Sequence, residues 1–551
     1  MRGLSSLIPK LCFLVEFTAL AVAANAAETT WNRGASTSDW TNSLNWSHGA
    51  PTAGDNAVFA GNVGGDPNQL TVLSMNKITF SAGTSAGHSV IFEDWNVNAA
   101  GRFLEVQAGN SGNQIVSLDR NGIGRSLTLK PGSSTILNNG SGSLLVSSVL
   151  TGTNVLRNAA GADSMLVVDG SGNTTIAGRV SKFGVGQFQL ADHSGGCLSV
   201  TKLGNGTLIL GGNNTHTGTT SVVGGTIRLG TPQALQYSAF DTAGANGPGT
   251  SLDISAATTN GTLTLGGLAG GLNLAAANIA GFQSVTNLRL NPQFGRNPTY
   301  AGAIADGQAA RSVTKTGSGT QVLSGNNTYT GATMVSEGTL WIDGSTSSSS
   351  PVTVALGGTL GGNGTIGGSA TVSGTLAPTP GGVLRFTAPL TLQDSSRTVI
   401  RVARTGSALA HGRIASSASI ALAGTLVIED AGADLLQTGD TIRIFDPTTT
   451  TGAFERVVLP AGYSFDSSKL AQGVLSVTQG SAKPEFTEFA IREGFVTLSW
   501  PEEFKGWWLQ SNTNGLDPAG WIDVEDSNSL TTITFALDPG TKSEFYRLRA
   551  P

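Results

Sequence analysis

The histidines are the first residues to consider for chemistry, because imidazole serves both as a metal ligand and as a general base. The five histidines of the sequence are His48, His88, His193, His216 and His411. None stands at metal-ligand spacing from another histidine or a cysteine. A later stretch that resembles the surroundings of His216 has Tyr329 at its position, which is not expected of a ligand or a base. We therefore predict a surface position without chemical function for His216.

Carboxylates are the second candidates, because glycoside hydrolysis needs two of them a few ångströms apart in a groove. Asp163, Asp169 and Asp192 follow one another at irregular steps, which is no better than random placement. Residues 169–173 begin like a calcium loop but lack its later acidic ligands, so we predict a turn there. The sequence thus predicts no catalytic residue, no cofactor-binding residue and no metal site. A polysaccharide lyase or hydrolase remains one alternative.

The composition favours short strands joined by tight turns. Glycine accounts for 76 of 551 residues, and charged residues make up only 12%. Glycine and asparagine accept positive φ, whereas threonine and valine favour strands. The formal net charge of −5 argues against nucleic-acid binding, which needs basic patches. An all-β protein that binds no nucleic acid is the expectation.

Two stretches, 199–229 and 312–342, repeat each other without a gap, with 18 identities over 31 positions. Within them, Gly-Thr pairs open an apolar strand at a nearly constant step, as at Gly206-Thr207 and Gly225-Thr226. This step matches the period of about 20 residues that is typical of solenoids, in which each coil packs on its neighbours. The sequence predicts a right-handed parallel β-helix over residues 66–480.

These stretches resemble the autotransporter-associated β-strand repeat. The residues that match its pattern are Lys202, Gly204, Gly206, Asn213, Asn214, Thr215, Thr217, Gly218, Gly225 and Thr226, and then Lys315, Gly317, Gly319, Ser324, Gly325, Asn327, Thr328, Tyr329, Thr330, Gly331, Gly338 and Thr339. The resemblance implies the β-helical passenger region of an exported bacterial protein, with architectural motif residues and no catalytic residue. Unlike the autotransporters, the sequence shows no C-terminal run of barrel strands, so we do not expect self-translocation.

The N-terminus has the pattern of a secretory signal peptide over residues 1–26. Arg2 and Lys10 precede an apolar stretch, and Ala24-Asn25-Ala26 predicts cleavage after Ala26. A membrane anchor is the alternative, but the apolar stretch is short for a bilayer span. Residues 27–65 carry several tryptophans and are predicted to cap the first coil. Cys197 alone remains in the mature chain, which excludes an intramolecular disulfide.

Residues 485–551 are predicted to form a small β-rich module, antiparallel and sandwich-like. Its aromatic residues include Trp500, Trp507, Trp508 and Trp521. They either form a sugar-stacking face or fill the core of a short domain, and we favour the core.

We predict an exported structural or interaction protein, secreted or at the cell surface, with the periplasm as an alternative. Adhesion is a candidate role, and the predicted partners are extracellular glycans or envelope components. No integral membrane segment is expected after signal cleavage. Polysaccharide binding by the C-terminal module is a second hypothesis.

Overall fold

The structure is a computed structural model of the chain. It describes residues 27–35, 39–52, 54–61, 72–92, 94–98, 101–118, 125–148, 153–176, 187–192, 195–243, 251–274, 279–446, 449–479, 486–513, 520–536 and 544–549. The predicted signal peptide, residues 1–26, lies outside these ranges. Within them, no helical segment has the length and apolarity needed to cross a bilayer.

The N-terminal half is a parallel coil with three faces, and the chain visits the faces in turn. Neighbouring strands of a face come from successive coils, as a solenoid requires. The ten-stranded face contains Glu28–Trp31, Asn56–Phe59, Lys77–Phe80, Gly101–Val106, Gly132–Asn138, Ser164–Asp169, Leu198–Lys202, Thr220–Val222, Ala239–Asp241 and Gly267–Ala269. The eight-stranded face contains Ser89–Phe92, Gln114–Leu118, Leu144–Ser148, Thr174–Ile176, Thr207–Leu210, Thr226–Leu229, Ser251–Asp253 and Ile279–Ala280. The five-stranded face contains Val72–Leu73, Asp94–Asn96, Ser126–Thr128, Thr153–Arg157 and Gln187–Ala191.

The C-terminal half continues the coil in a sixteen-stranded sheet and a four-stranded sheet. The main path of the larger sheet is Thr262–Leu265, Asn287–Leu290, Ser312–Lys315, Thr333–Ile342, Val352–Gly362, Ala370–Val372, Leu390–Leu392, Ser419–Leu422 and Thr449–Gly452. The other strands of this sheet, which lie outside that order, are Thr299–Tyr300, Thr320–Leu323, Thr375–Pro378, Arg397–Thr405, Ala408–His411, Thr425–Asp430 and Arg456–Val458. The four-stranded sheet contains Thr365–Ile366, Val383–Phe386, Arg413–Ser416 and Phe445–Asp446.

The strand register confirms the predicted coil length within the repeat copies, whereas the coil that precedes the first copy is longer, since Thr174 pairs with Leu208. Thr207 pairs with Thr226, and Thr320 pairs with Thr339 at the same step along the sequence. Inward side chains alternate with outward ones along these short strands, and the inward ones merge into one apolar core from Trp31 to Val477. The parallel solenoid is therefore confirmed, whereas its right-handed sense stays a prediction from the chirality of crossover connections.

The two repeat copies begin on different faces of the coil. The first strand of the first copy, Leu198–Lys202, lies on the ten-stranded face. A parallel bridge from Gly270 to Tyr300 continues that face, and Tyr300 pairs with the second strand of the second copy, Thr320–Leu323. The first strand of the second copy, Ser312–Lys315, thus occupies another face, because the spacing of the copies is not a whole number of coils. The motif fits either face because its contacts run between neighbouring coils.

An aromatic cluster lies at the N-terminal end of the ten-stranded face. Trp31, Trp40 and Trp46 are buried, and their rings meet edge to face at 5.0 Å and 4.8 Å, with Phe59 of the next strand against them. Such rings supply apolar surface on the side where a first coil has no preceding coil to cover it. The limits of a capping domain stay a prediction.

Antiparallel sheets follow the last coils. Thr441–Arg443, Ser464–Asp466 and Val474–Gln479 form one sheet. Because Arg397–Thr405 also pairs antiparallel with Ala408–His411, antiparallel pairing already occurs within the predicted β-helix range. The C-terminal module has two more sheets, Glu488–Arg492 with Phe495–Ser499 and Thr532–Ala536, and Ile522–Asp523 with Trp508–Asn512 and Phe545–Arg549. Within the described ranges, short 3-10 helices span Ser43–Asn45, Phe282–Ser284, Leu470–Gln472, Glu502–Phe504 and Ser527–Ser529. The expectation of an all-β chain with a small antiparallel C-terminal module is confirmed.

Candidate functional site

The predicted surface position of His216 is wrong. Its side chain is 1% exposed, and Nε2 lies 3.2 Å from the Thr220 hydroxyl. Burial lowers the pKa of His216 to about 4, so the ring is neutral at neutral pH. Tyr329 occupies the same position in the second copy and donates to or accepts from the Thr333 hydroxyl at 2.6 Å. Either ring satisfies this position because each combines an apolar body with one polar atom that reaches the threonine.

The repeat lysines are buried cations that hold the coil corners. Lys315 Nζ donates to the carbonyl oxygens of Thr316, Gly317 and Glu337 at 2.8, 2.7 and 3.0 Å. Lys202 Nζ makes the same bonds to the two carbonyls that follow it. Burial lowers the pKa of both lysines to about 8, which still leaves them mostly charged at neutral pH. The two ammonium groups therefore bind backbone and are not presented to a ligand.

The second asparagine of each Asn-Asn pair bridges three coils. Asn327 Oδ1 accepts the N–H of Ile304 in the preceding coil, at 3.1 Å, and its Nδ2 donates to Ser345 O in the next coil. Asn214 does the same between Leu190 N and Ala234 O, both at 2.9 Å. Each amide satisfies backbone groups at a turn where the sheet ladder is interrupted.

An aspartate upstream of each copy positions a motif threonine. Asp192 accepts from both the backbone N–H and the hydroxyl of Thr217, at 2.9 and 2.5 Å. Asp306 does so for Thr330, at 2.9 and 2.7 Å, and its Oδ1 also accepts the N–H of Arg311. The pKa of the Asp306 carboxyl is lowered, because these hydrogen bonds and the nearby Arg311 outweigh its desolvation. From the sequence, Asp192 was only a catalytic candidate, although each aspartate precedes its threonine by a nearly equal number of residues, which was a usable signal.

The other acids singled out from the sequence also bind backbone. Asp163 accepts the N–H of Cys197 at 2.8 Å, and Asp169 accepts the N–H of Gly170 at 2.6 Å. Asn173 accepts the N–H of Thr207 in the next coil, which makes residues 169–173 a coil turn. Across the described ranges, no three histidine, cysteine or acidic side chains come together as a metal site.

The remaining histidines are dispersed. His88 is buried and its ring lies 5.6 Å from that of Phe59. His48 is exposed and bonds to Ser47, whereas burial lowers the pKa of the half-buried His411. His193 lies outside the described residues. The histidines that the structure describes are not brought together at one site.

Two of the four singled-out C-terminal tryptophans fill the core of their module. Trp500 and Trp507 are 3% and 5% exposed and pack with Leu498 and Leu509. Trp508 and Trp521 are partly exposed, and the guanidinium of Arg547 covers one face of Trp521 at 4.2 Å. The interpretation as a core therefore holds for the first pair, and no flat row of exposed rings is formed by these four residues.

A groove of about 840 Å³ lies between the last coils and the C-terminal module, and several charged groups line it. The side chains that line it include Glu429, Asp430, Asp434, Tyr463, Trp507, Arg547 and Arg549. Sequence reasoning missed this groove, because strands far apart in the sequence supply its walls. Glycoside hydrolysis needs a pair of carboxylates, and this groove offers three of them beside two guanidinium groups.

The charged groups of the groove already have partners. Glu429 accepts from Arg401 at 2.9 Å, and Asp430 accepts from the Tyr463 hydroxyl at 2.7 Å. Burial and, to a smaller extent, hydrogen bonding to Asp430 raise the pKa of Tyr463. Arg549 is bound by Asp523, also at 2.9 Å. The first two contacts lie within the coil and the third lies within the module, so each of these charged groups is already held by its own part of the chain.

The fold and the motif contacts together define a class, a parallel β-solenoid whose repeat side chains are architectural. Residues 200–229 and 313–342 match the passenger-associated transport repeat, and the chain thus carries two repeats of the kind found in autotransporter passenger proteins. Passenger repeats imply export and belong to generally non-catalytic regions. A comparison with curated proteins gives no match.

Proposed function

We propose that this chain is an exported structural or interaction protein that presents an elongated β-helix outside the cell. One observation carries the proposal. The motif lysines, the inner asparagines and the rings of His216 and Tyr329 all make hydrogen bonds to other groups of the solenoid. Because these side chains are hydrogen-bonded inside the solenoid, they stabilise the scaffold and are not available for catalysis. The outward faces are then the surfaces that meet a partner, which we expect to be an extracellular glycan or an envelope component.

A second candidate function, action on a polysaccharide, is favoured by the junction groove alone. Asp430 and Glu429 would be its acids, and Arg547 would bind an anionic sugar. Binding of a polysaccharide without turnover is the milder form of the same hypothesis, with the aromatic C-terminal module as the binding unit.

A polysaccharide panel distinguishes the functions. We expect the full chain to release neither reducing sugars nor unsaturated products, because the carboxylates of the groove are bound to Arg401 and Tyr463. Product release that disappears in Asp430→Asn, while the fold is retained, would establish an enzyme and overturn the scaffold proposal. Polysaccharide binding that is lost in a chain ending at residue 484 would assign binding to the C-terminal module.

A further inference from the structure

The strand Glu488–Arg492, here called the edge strand, forms one edge of a three-stranded sheet in the C-terminal module. It pairs antiparallel with Phe495–Ser499 on one side. No strand of the described residues pairs with its other side. An open edge presents unpaired backbone N–H and C=O groups, which makes it a template for another strand.

The edge strand also carries uncovered apolar side chains. Phe489 pairs with Leu498 and Ile491 pairs with Val496, so these four side chains lie on one face of the sheet. Leu498 and Val496 are buried in the module core, whereas Phe489 is 61% and Ile491 is 57% exposed. The apolar face of the module therefore extends beyond its core to the open edge, and large apolar groups in such a position mark an interaction surface.

The charges of the edge strand identify its partner. Its sequence is Glu-Phe-Ala-Ile-Arg, with an exposed acid at one end and an exposed base at the other. Arg492 has no ion-pair partner within the part of the chain that the structure describes. When two such strands pair antiparallel about Ala490, Glu488 of each copy lies opposite Arg492 of the other, and Phe489 lies opposite Ile491. Opposite charges and apolar pairs directly across a ladder both stabilise strand pairing.

We propose that the chain self-associates through this edge strand, with two copies related by a two-fold axis through Ala490. A two-fold contact uses the same surface on both copies, which a self-complementary strand provides. Only the short strand Glu488–Arg492 of each copy enters the ladder, so the interface is small and the dimer dissociates readily. The inference goes beyond the proposed function, since a monomeric chain could also serve as an exported scaffold.

Charge exchange provides the test, with the full chain followed by sedimentation equilibrium over a wide concentration range. Glu488→Arg and Arg492→Glu each place like charges opposite one another at both ends of the ladder. Each variant alone is expected to dimerise about tenfold more weakly than the parent chain. An equimolar mixture of the two restores opposite charges at both ends, and we expect association of the mixture to return to the parent level.

Glu455→Arg is the matched control, because Glu455 is an exposed acid that lies outside the edge strand. It should associate as the parent chain does. A parent chain that stays monomeric at every concentration would overturn the proposal. So would single variants that dimerise as strongly as the parent, or a mixture that associates no better than its components.

Discussion

Replacing Gly338 with alanine is expected to lower the free energy of unfolding of the repeat coils by about 4 kcal/mol. Gly338 has a φ of +63°, and a Cβ there would lie 2.6 Å from Gly319 O, with Gly317 O closer still. Both contacts are with backbone of the preceding coil, which cannot move without separating the strands. Strain at positive φ therefore adds to a steric clash. Chemical denaturation of the full chain, followed by circular dichroism, measures the loss.

Two further alanine variants separate the clash from the strain. Gly225 is the counterpart in the first copy, and its Cβ would lie 2.6 Å from Gly204 O, so Gly225→Ala should cost about as much. Gly295 has a φ of +74° with no atom near its Cβ position, so Gly295→Ala should cost only about 1 kcal/mol. Equal losses for Gly338→Ala and Gly295→Ala would contradict the close packing of coils at the motif glycines.

Between neutral pH and pH 4, the free energy of unfolding is expected to fall by about 3 kcal/mol less in His216→Tyr than in the parent chain. Burial lowers the pKa of His216 from its ordinary 6.5 to about 4 in the folded chain. Between these values the unfolded chain takes up a proton that the folded chain does not, so stability is fully present above pH 6.5 and is lost as the pH falls to 4. Tyrosine stays neutral over this range, and Tyr329 shows that the fold accepts it.

The measurement compares the pH dependence of unfolding in the two proteins. The stability of the parent chain minus that of His216→Tyr should fall steadily from pH 7 to pH 4 and stay constant above pH 7. Tyr329→Phe serves as a control, because it changes the same position of the other copy without adding a group that titrates in this range. A difference that does not vary with pH would show that His216 is accessible to protons in the folded chain.

The sequence was most informative where the chain repeats itself. Gly-Thr pairs at a nearly constant step predicted the register that joins Thr207 to Thr226, because every coil must present its strand to the same neighbour. The inward position of His216 was not predicted, because alternation with tyrosine excluded a ligand but did not distinguish a surface side chain from a buried one.

Other features depend on three-dimensional closure. Arg311 is fully buried, with Nε and Nη2 on the carbonyls of Val285 and Phe282 and its guanidinium 3.9 Å above the Phe282 ring. The first copy has Leu198 at this position, so comparison of the copies gave no sign of a buried cation. The groove between the last coils and the C-terminal module was also missed, because its walls meet only after the module has folded against the coil.

The central claim, an exported chain that presents its solenoid outside the cell, is tested most directly by fractionation of cells that express the full chain with a C-terminal tag. We expect the tagged protein in the medium or on the outer surface, where protease added to intact cells removes it. A tagged protein that stays in the cytoplasm, protected from that protease, would contradict the account.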